Sequence, residues 1–158
     1  MKKYVLIIIF ILTMTGCKDK FYENIKEVKN PNDILVLVNK NNKLKNDFIP
    51  NDLIELDLNY SNDEKYLKKE AALAFYELSS DAKKLGYRII VVSAYRSYTY
   101  QEKLFDYYVK EKGIDYALNC SAKAGHSEHQ TGLAIDVEGS NFDYDLFNES
   151  KEFEWMKN

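Results

Sequence analysis

The sequence predicts a single domain that combines α-helices with β-strands. The 158 residues leave room for one domain of ordinary size. An apolar content of 46%, with 14% aromatic residues, is enough to form a hydrophobic core and argues against disorder. Short runs rich in isoleucine and valine alternate with segments whose apolar residues recur every three or four positions, which indicates strands alternating with helices.

The first 16 residues are typical of a bacterial lipoprotein signal peptide. Lys2 and Lys3 form a basic start, and Tyr4 to Met14 form an apolar stretch of 11 residues. That stretch is shorter than a membrane-spanning helix of about 20 residues and matches the apolar region of a secretory signal. The segment that ends at Cys17 resembles a lipobox, which predicts that Cys17 carries a lipid. A plain signal peptide with an incidental cysteine is the alternative.

Residues 17–33 are polar and charged, and they are predicted to be the lipid anchor and a tether. Two acyl chains on Cys17 would anchor the chain stably, so we expect an extracytoplasmic protein held on the bacterial cell membrane. The formal net charge of −3 offers no basic stripe, which argues against nucleic acid as a partner. With Cys17 lipidated, Cys120 has no cysteine to pair with, and we expect a small buried side chain there in a monomeric protein.

The predicted domain covers residues 34–158 and begins with a strand at Ile34 to Val38. The first helix is predicted to begin at Ser61, because Ser61-Asn62-Asp63-Glu64 has the pattern of a capping box. It is predicted to end near Leu85, with Gly86 closing it. Its apolar residues at steps of three and four predict the buried face, which comprises Leu67, Ala71, Ala74, Leu78, Ala82 and Leu85.

The second half of the domain continues the alternation. Arg88 to Ala94 is a nearly continuous apolar run and predicts a strand covered on both faces. A second capping box at Thr99 to Glu102 predicts a helix that Gly113 ends, and a short helix follows at 114–118. Leu133 to Val137 predicts another short strand, and a last helix is expected from Ser150.

The spacing of His129, Gly132 and Asp136 predicts a metal site. Zinc takes neutral histidine nitrogen and carboxylate oxygen, and two ligands of one ion must lie a few ångströms apart. Seven residues of extended chain would separate them by roughly 23 Å, so the chain must double back, and Gly132 permits a turn with positive φ. A surface histidine and an aspartate paired with lysine or arginine fit the same spacing.

Arg96 lies where a predicted strand becomes a predicted helix. Its planar guanidinium could bind a carboxylate through two hydrogen bonds, although pairing with a surface acid would equally satisfy it. Gln101, near the start of the helix, could instead support the cap. Ser127 could bind a ligand or simply form a turn.

Three motifs, in order along residues 34–158, resemble the zinc D-alanyl-D-alanine carboxypeptidases of the VanY and VanX type. The resemblance implies an α+β fold with helices packed on a small antiparallel sheet, as in DD-peptidases and hedgehog proteins. The motifs are Leu37-Val38-Asn39-Lys40 with Phe48 to Leu53, Ser93-Ala94-Tyr95-Arg96-Ser97-Tyr98 with Gln101, and Gly125 to Gly132 with Asp136.

The resemblance also implies the chemistry, which is removal of the terminal D-alanine from the stem peptides of peptidoglycan. His129 and Asp136 would hold Zn²⁺. Arg96 would bind the substrate and, as a catalytic residue, stabilise the developing oxyanion. Gln101 and Ser127 would bind the substrate.

A hydrolytic zinc site also needs a third protein ligand and a general base. The resembled family takes both from a Glu-x-Trp-His segment, which this sequence lacks, so the base is expected beyond Asn158 and the domain is expected to be incomplete. His126 is the remaining histidine and a makeshift third ligand. Three alternatives stay open: a non-catalytic peptidoglycan-binding lipoprotein, a truncated inactive homologue, and a zinc peptidoglycan endopeptidase.

Overall fold

The structure is a computed structural model that describes residues 21–140 and 146–158. Its strands form three two-stranded pairs, of which β1–β2 is parallel while β3–β4 and β5–β6 are antiparallel. The strands are β1 Lys26–Glu27, β2 Asn42–Lys43, β3 Leu53–Glu55, β4 Tyr66–Lys68, β5 Ile90–Ser93 and β6 Asp136–Glu138. The helices are α1 Lys69–Lys84, α2 Tyr98–Lys112, α3 Ile114–Cys120 and α4 Lys151–Met156, with 3₁₀ turns at Glu128–Thr131 and Phe147–Glu149.

The main core lies where α1 meets the β3–β4 hairpin and β5. Burial of these side chains removes apolar surface from water and attaches β5 to the core through Val91. Trp155 of α4 packs against the edge of the same core. A smaller cluster of Phe105, Ala117 and Leu118 joins α2 to α3. The buried residues of the main core are Leu56, Leu67, Ala72, Phe75, Ala82, Ile89, Val91 and Ala94. This arrangement confirms the α+β class.

The strand predicted at Ile34 to Val38 was wrong. Residues 34 and 35 form a turn and residues 36–38 are irregular, and only Val38 is buried. The carboxylate of Asp33 accepts a hydrogen bond from the backbone N–H of Leu35 at 2.8 Å. Such a side-chain turn competes with strand pairing for the backbone, which is why an apolar run did not become a strand.

The first helix begins eight residues later than predicted, at Lys69 instead of Ser61. The hydroxyl of Ser61 donates to the carbonyl of Asp63 instead of capping a helix, and Leu67 lies in β4. The helix therefore buries Ala72, Phe75 and Ala82, a face rotated from the predicted stripe. Tertiary pairing of β4 with β3 overrode the local capping signal.

The other boundaries were closer to prediction. Gly86 and Gly113 end their helices with φ of 81° and 86°, as expected for glycine at a helix C-terminus. The side chain of Ser97, rather than Thr99, caps α2 by accepting from the N–H of Tyr100. Ser150 caps α4, as predicted. The last residue of α3, Cys120, is exposed and not buried.

The described part of the predicted tether is packed onto the domain. β1 pairs with β2, and the ring of Tyr22 meets the ring of His126 edge-on at 4.8 Å. The compact fold therefore begins before residue 34. The predicted signal peptide and Cys17 lie outside the described residues, and within those residues no helix is long and apolar enough to cross a membrane.

A buried carboxylate in α4 predicts a pH dependence of folding. The hydroxyl of Ser140, which donates to Glu152 Oε1 at 2.6 Å, lowers the pKa of Glu152 below its ordinary value, and burial opposes this. The unfolded chain therefore binds this proton more readily than the folded one. Stability from Glu152 should be present above the ordinary pKa of the carboxyl group and be lost as the pH falls.

Glu152→Gln should therefore flatten the acid side of the stability profile, measured as the urea midpoint at several pH values. Glu154→Gln is the matched control, because Glu154 lies on the same helix and its side chain is 62% exposed beside Lys157. An unchanged acid limb in Glu152→Gln, or an equal change in the control, would contradict the assignment.

Candidate functional site

Arg96 is positioned by the end of β5. After Ser93 the chain leaves the strand, and the N–H of Tyr95 donates to the carbonyl of Tyr66 at 2.9 Å. The N–H of Arg96 donates to the carbonyl of His129 at 3.1 Å. Because α2 begins only two residues later, the backbone of Arg96 is fixed before and after this residue. The position of its Cα and Cβ atoms is therefore fixed as well.

The turn that carries His129 returns the chain to the same place. Glu128–Thr131 form one 3₁₀ turn, and Gly132 follows in the left-handed region with φ of 71°. β6 then pairs antiparallel with β5, so that Asp136 lies opposite Ser93. The predicted doubling back at Gly132 is therefore present, and it brings His129 and Asp136 beside Arg96.

The three charged or titratable side chains meet at one point. Arg96 Nη2 lies 2.8 Å from Asp136 Oδ2 and 3.1 Å from His129 Nε2, and His129 Nε2 lies 3.5 Å from Asp136 Oδ2. Their side chains are between 14% and 28% exposed. Such partly buried charges interact more strongly than surface charges because less water screens them.

The ring of His129 is held in one orientation. Its Nδ1 lies 2.7 Å from the carbonyl oxygen of Ala94. A carbonyl can only accept, so Nδ1 carries a proton, and Nε2 is the ring nitrogen that faces Arg96 and Asp136. Metal-binding histidines are commonly oriented in this way by a backbone carbonyl.

Asp136 is held in its ionised form. Hydrogen bonding with His129 lowers the pKa of Asp136, the charges of His129 and Arg96 act in the same direction, and burial opposes them. An ionised carboxylate is the form that a metal ion requires.

These two residues fit a zinc ion as part of its ligand set. Zinc ligands at about 2.0–2.2 Å with tetrahedral angles lie about 3.3–3.6 Å apart, and His129 Nε2 and Asp136 Oδ2 are separated by 3.5 Å. The guanidinium nitrogen already within hydrogen-bond distance of both atoms indicates that the pair attracts a cation. Throughout residues 21–140 and 146–158, no group of three or more His, Cys, Asp or Glu residues is placed to hold a metal.

His126 does not complete the set. Its Nδ1 lies 2.9 Å from the carbonyl of Asn39, and its ring packs against Tyr22. Burial lowers the pKa of His126, the contact with Asn39 opposes this, and Lys43 and Lys123 lower it further. In this conformation His126 is a buried histidine held by these contacts, and it is not grouped with His129 and Asp136.

A cavity of about 740 Å³ opens beside the three side chains. Its walls mix apolar and polar groups, as expected where a peptide would bind. No role was predicted for Leu104, Tyr108 or Ala122, which line it together with residues of the three motifs. The lining residues include Leu37, Val38, Asn39, Lys40, Arg96, Leu104, Tyr108, Ser121, Ala122, His126, Ser127, Glu128, His129 and Asp136.

Ser127 and Gln101 have different positions relative to this cavity. Ser127 lines it, as its predicted role requires. Gln101 is only 1% exposed, and its amide nitrogen donates to Ser121 Oγ and to the carbonyl of Ala122. Its carbonyl oxygen accepts from Arg96 Nη1 at 3.3 Å. In this conformation Gln101 is buried and holds Arg96 in place. Its position supports Arg96 and does not reach a substrate in the cavity.

Two supporting groups were not identified from the sequence. The hydroxyl of Ser93 accepts from Arg96 Nε at 3.1 Å, and the carbonyl of Ala94 orients His129. The register of β6 against β5 could have indicated Ser93, because Asp136 is its partner in the pair. No side-chain pattern could have indicated a backbone carbonyl.

Gly132 should be hard to replace, because its φ is 71° and a side chain there would be crowded. A Cβ there would lie 2.8 Å from Leu53 Cδ2 and 3.2 Å from the backbone nitrogen of Lys68. Gly132→Ala should therefore lower the free energy of unfolding by more than the cost of about 1–2 kcal/mol for a left-handed residue. Gly86→Ala is the control, since its φ is 81° but nothing lies within 4 Å of the added carbon. Equal losses in urea unfolding would contradict the crowding at Gly132.

Comparison with known proteins gives consistent matches. A family model described as VanY, D-alanyl-D-alanine carboxypeptidase, matches residues 64–158. YodJ of Bacillus subtilis (strain 168) is 38% identical over 145 residues, covering 87% of this chain and 53% of YodJ. The bifunctional D-Ala-D-Ala dipeptidase and D-Ala-D-Ala carboxypeptidase VanXYC of Enterococcus gallinarum is 39% identical over 103 residues, covering 65% of this chain and 53% of that protein.

The structure of the LdcB LD-carboxypeptidase is also similar. Its TM-score is 0.77 at 38% identity, with coverage of 85% of this chain and 66% of that chain. The two proteins therefore share a fold. The chain spans about half the length of the curated relatives that it matches.

Proposed function

Because this chain belongs to the VanY family of D-alanyl-D-alanine carboxypeptidases, we propose that it acts as a zinc-dependent carboxypeptidase on peptidoglycan stem peptides. One observation carries the proposal. An oriented imidazole, an ionised carboxylate and a guanidinium meet at one point on the wall of a cavity large enough for a peptide end. These are the groups that hydrolysis of a terminal peptide bond requires to bind a metal and a carboxylate.

His129 and Asp136 would hold the zinc ion through Nε2 and a carboxylate oxygen. When bound, zinc would supply Lewis acidity towards the scissile carbonyl and lower the pKa of a water molecule. The contact between His129 and the Ala94 carbonyl keeps the ring in the tautomer that can bind. A third ligand and a general base are further requirements of the reaction.

Arg96 would bind the substrate. A guanidinium presents two parallel N–H groups to a carboxylate or to a developing oxyanion, and such donors are strongest in sites that exclude water. Ser93 and Gln101 fix two of the other Arg96 nitrogens, Nε and Nη1, and so limit its rotation. Ser127 on the cavity wall would add a hydroxyl to the substrate contacts.

The bond that is cut could be of either of two kinds. The family description names D-alanyl-D-alanine, whereas LdcB, which shares the fold, is an LD-carboxypeptidase. Both reactions release free D-alanine, from a stem pentapeptide in the first case and from a tetrapeptide in the second. A peptidoglycan endopeptidase with the same zinc chemistry would release no free D-alanine.

The test is zinc-dependent release of D-alanine from the two peptides by the purified chain. Release from the pentapeptide supports a D,D-carboxypeptidase, and release from the tetrapeptide alone supports an L,D-carboxypeptidase. Cleavage of a cross-linked dimer without free D-alanine would replace the proposal with an endopeptidase.

A non-catalytic stem-peptide-binding protein is the second candidate. A catalytic zinc takes three protein ligands, whereas the described residues bring only His129 and Asp136 together. This difference favours the second candidate. It predicts that pentapeptide binds the cavity with equal affinity in zinc and in a chelator, and that no D-alanine appears.

We also propose that the protein is lipid-anchored through Cys17 on the outer face of the bacterial cell membrane. The apolar stretch and the small residues before Cys17 support this. Cys17→Ser should move the protein from the membrane fraction to the soluble fraction. Retention of the variant in the membrane would contradict lipidation at Cys17.

A further inference from the structure

The folded domain begins very close to the proposed lipid. The N–H of Lys123 donates to the Tyr22 hydroxyl at 3.0 Å, and Val28 N–H donates to the carbonyl of Lys43 at 2.9 Å. Residues from Phe21 onward are therefore tied to the domain, and residues 18–20 are all that separate them from Cys17. Four residue steps of fully extended chain span at most about 14 Å.

Large apolar side chains are exposed in the first described residues and in the segment that leads into Lys40. Phe21 is 42% exposed, and Lys40 Nζ lies 3.6 Å from the centroid of its ring. The segment that leads into Lys40 contains the run predicted to be a strand, and its apolar side chains mostly face outward. We call the exposed apolar side chains of these two segments the anchor-proximal surface. They are Phe21 at 42%, Ile25 at 48%, Ile34 at 53%, Leu35 at 87% and Leu37 at 62% exposure.

We propose that the anchor-proximal surface lies against the lipid bilayer, so that the domain rests on the membrane instead of being lifted above it. This inference rests on the proposed lipid anchor. A lipid at Cys17 places Phe21 within about 14 Å of the bilayer surface. Burial of aromatic and aliphatic side chains in the interfacial region of a bilayer is favourable.

Apolar contact, and not charge, should hold the anchor-proximal surface on the bilayer. Residues 18–33 contain four lysines and four acidic residues, so this segment has no net charge to attract anionic lipid. Electrostatic binding would weaken as salt screens it, whereas apolar burial would not. The association should therefore be insensitive to ionic strength.

The position of the surface also selects the substrate. Leu37 and Lys40 belong to the wall of the 740 Å³ cavity. With Leu37 on the bilayer, the cavity would lie beside the membrane, where stem peptides of membrane-attached precursors are concentrated. The enzyme should therefore act on such precursors in preference to distant wall polymer.

The experiment uses the full, lipidated chain in vesicles of phosphatidylglycerol and phosphatidylethanolamine. Cys120, which is exposed, is first changed to serine so that a single introduced cysteine carries a fluorophore. Leu35→Cys reports the anchor-proximal surface, and Leu85→Cys is the control, because Leu85 is 59% exposed at the end of α1. Spin-labelled lipid quenches from the bilayer, and iodide quenches from the water.

Lipid quenching at position 35 should exceed that at position 85 severalfold and should not change between low and high salt. Equal lipid quenching at both positions overturns the inference. Protection of position 35 from both quenchers also overturns it, since that result would mean that protein covers the surface. Release of the chain from the vesicles overturns both the anchor and the inference.

Insertion of twenty Gly and Ser residues before Lys20 gives a second measurement. A long flexible linker lowers the effective concentration of the surface at the bilayer. Lipid quenching at position 35 and turnover of membrane-attached precursor should both fall severalfold, while turnover of soluble peptide should stay unchanged. Full retention of quenching and precursor turnover would contradict the inference, and turnover of soluble peptide tests the proposed catalysis separately.

Discussion

Replacement of His129 by alanine is expected to abolish zinc binding and, with it, any release of D-alanine. The ring of His129 presents Nε2 towards Asp136 because Nδ1 is held by the Ala94 carbonyl. Without this ring, Asp136 is the one metal-binding side chain left of the pair. A metal ion contributes several kcal/mol to such a reaction, which corresponds to a rate loss of at least about a thousandfold. Equilibrium dialysis with metal analysis measures the binding directly.

His126→Ala is the matched control for that experiment. It removes the other histidine of the chain, three residues away, whose Nδ1 contacts Asn39 and whose ring packs on Tyr22. This variant should lose folding stability but bind zinc as the parent does. Stoichiometric zinc in the His129→Ala variant would disprove the assignment, and zinc loss in both variants would require His126 to be a ligand.

Replacement of Arg96 by lysine is expected to lower kcat/KM by about 100- to 1000-fold, the usual cost of losing one donor to an oxyanion. Lysine keeps the charge but lacks the planar fork of donors, so the loss measures geometry. Zinc content should be unchanged, because Arg96 is not a ligand. Activity near that of the parent would show that the substrate is held elsewhere.

Ser93→Ala tests how far Arg96 depends on its support. It removes the acceptor for Arg96 Nε but leaves the contacts of Nη1 and Nη2 in place. We expect less than a tenfold loss in kcat/KM. A loss as large as that of Arg96→Lys would mean that the side-chain orientation of Arg96 depends on Ser93.

Sequence reasoning succeeded where local chemistry decides the conformation. Gly132 turns the chain because its left-handed φ suits a residue without Cβ, and Gly86, Gly113 and Ser150 mark helix ends for similarly local reasons. It failed at Ser61, where a local capping signal competed with tertiary pairing. Ser61 forms a bridge to Val91 and not a helix start, and Tyr66 to Lys68 pair with β3.

By itself, the sequence indicated the residues of the candidate site. The types and order of Arg96, His129, Gly132 and Asp136 indicated a metal-binding turn beside a carboxylate-binding arginine. Only the tertiary structure decided that β5 and β6 pair with Asp136 opposite Ser93, which sets the distances of 2.8–3.5 Å among the three side chains. It also decided that Gln101 is buried behind Arg96 and that Leu35 faces outward. Such features depend on contacts between residues far apart in the chain, and no local spacing encodes them.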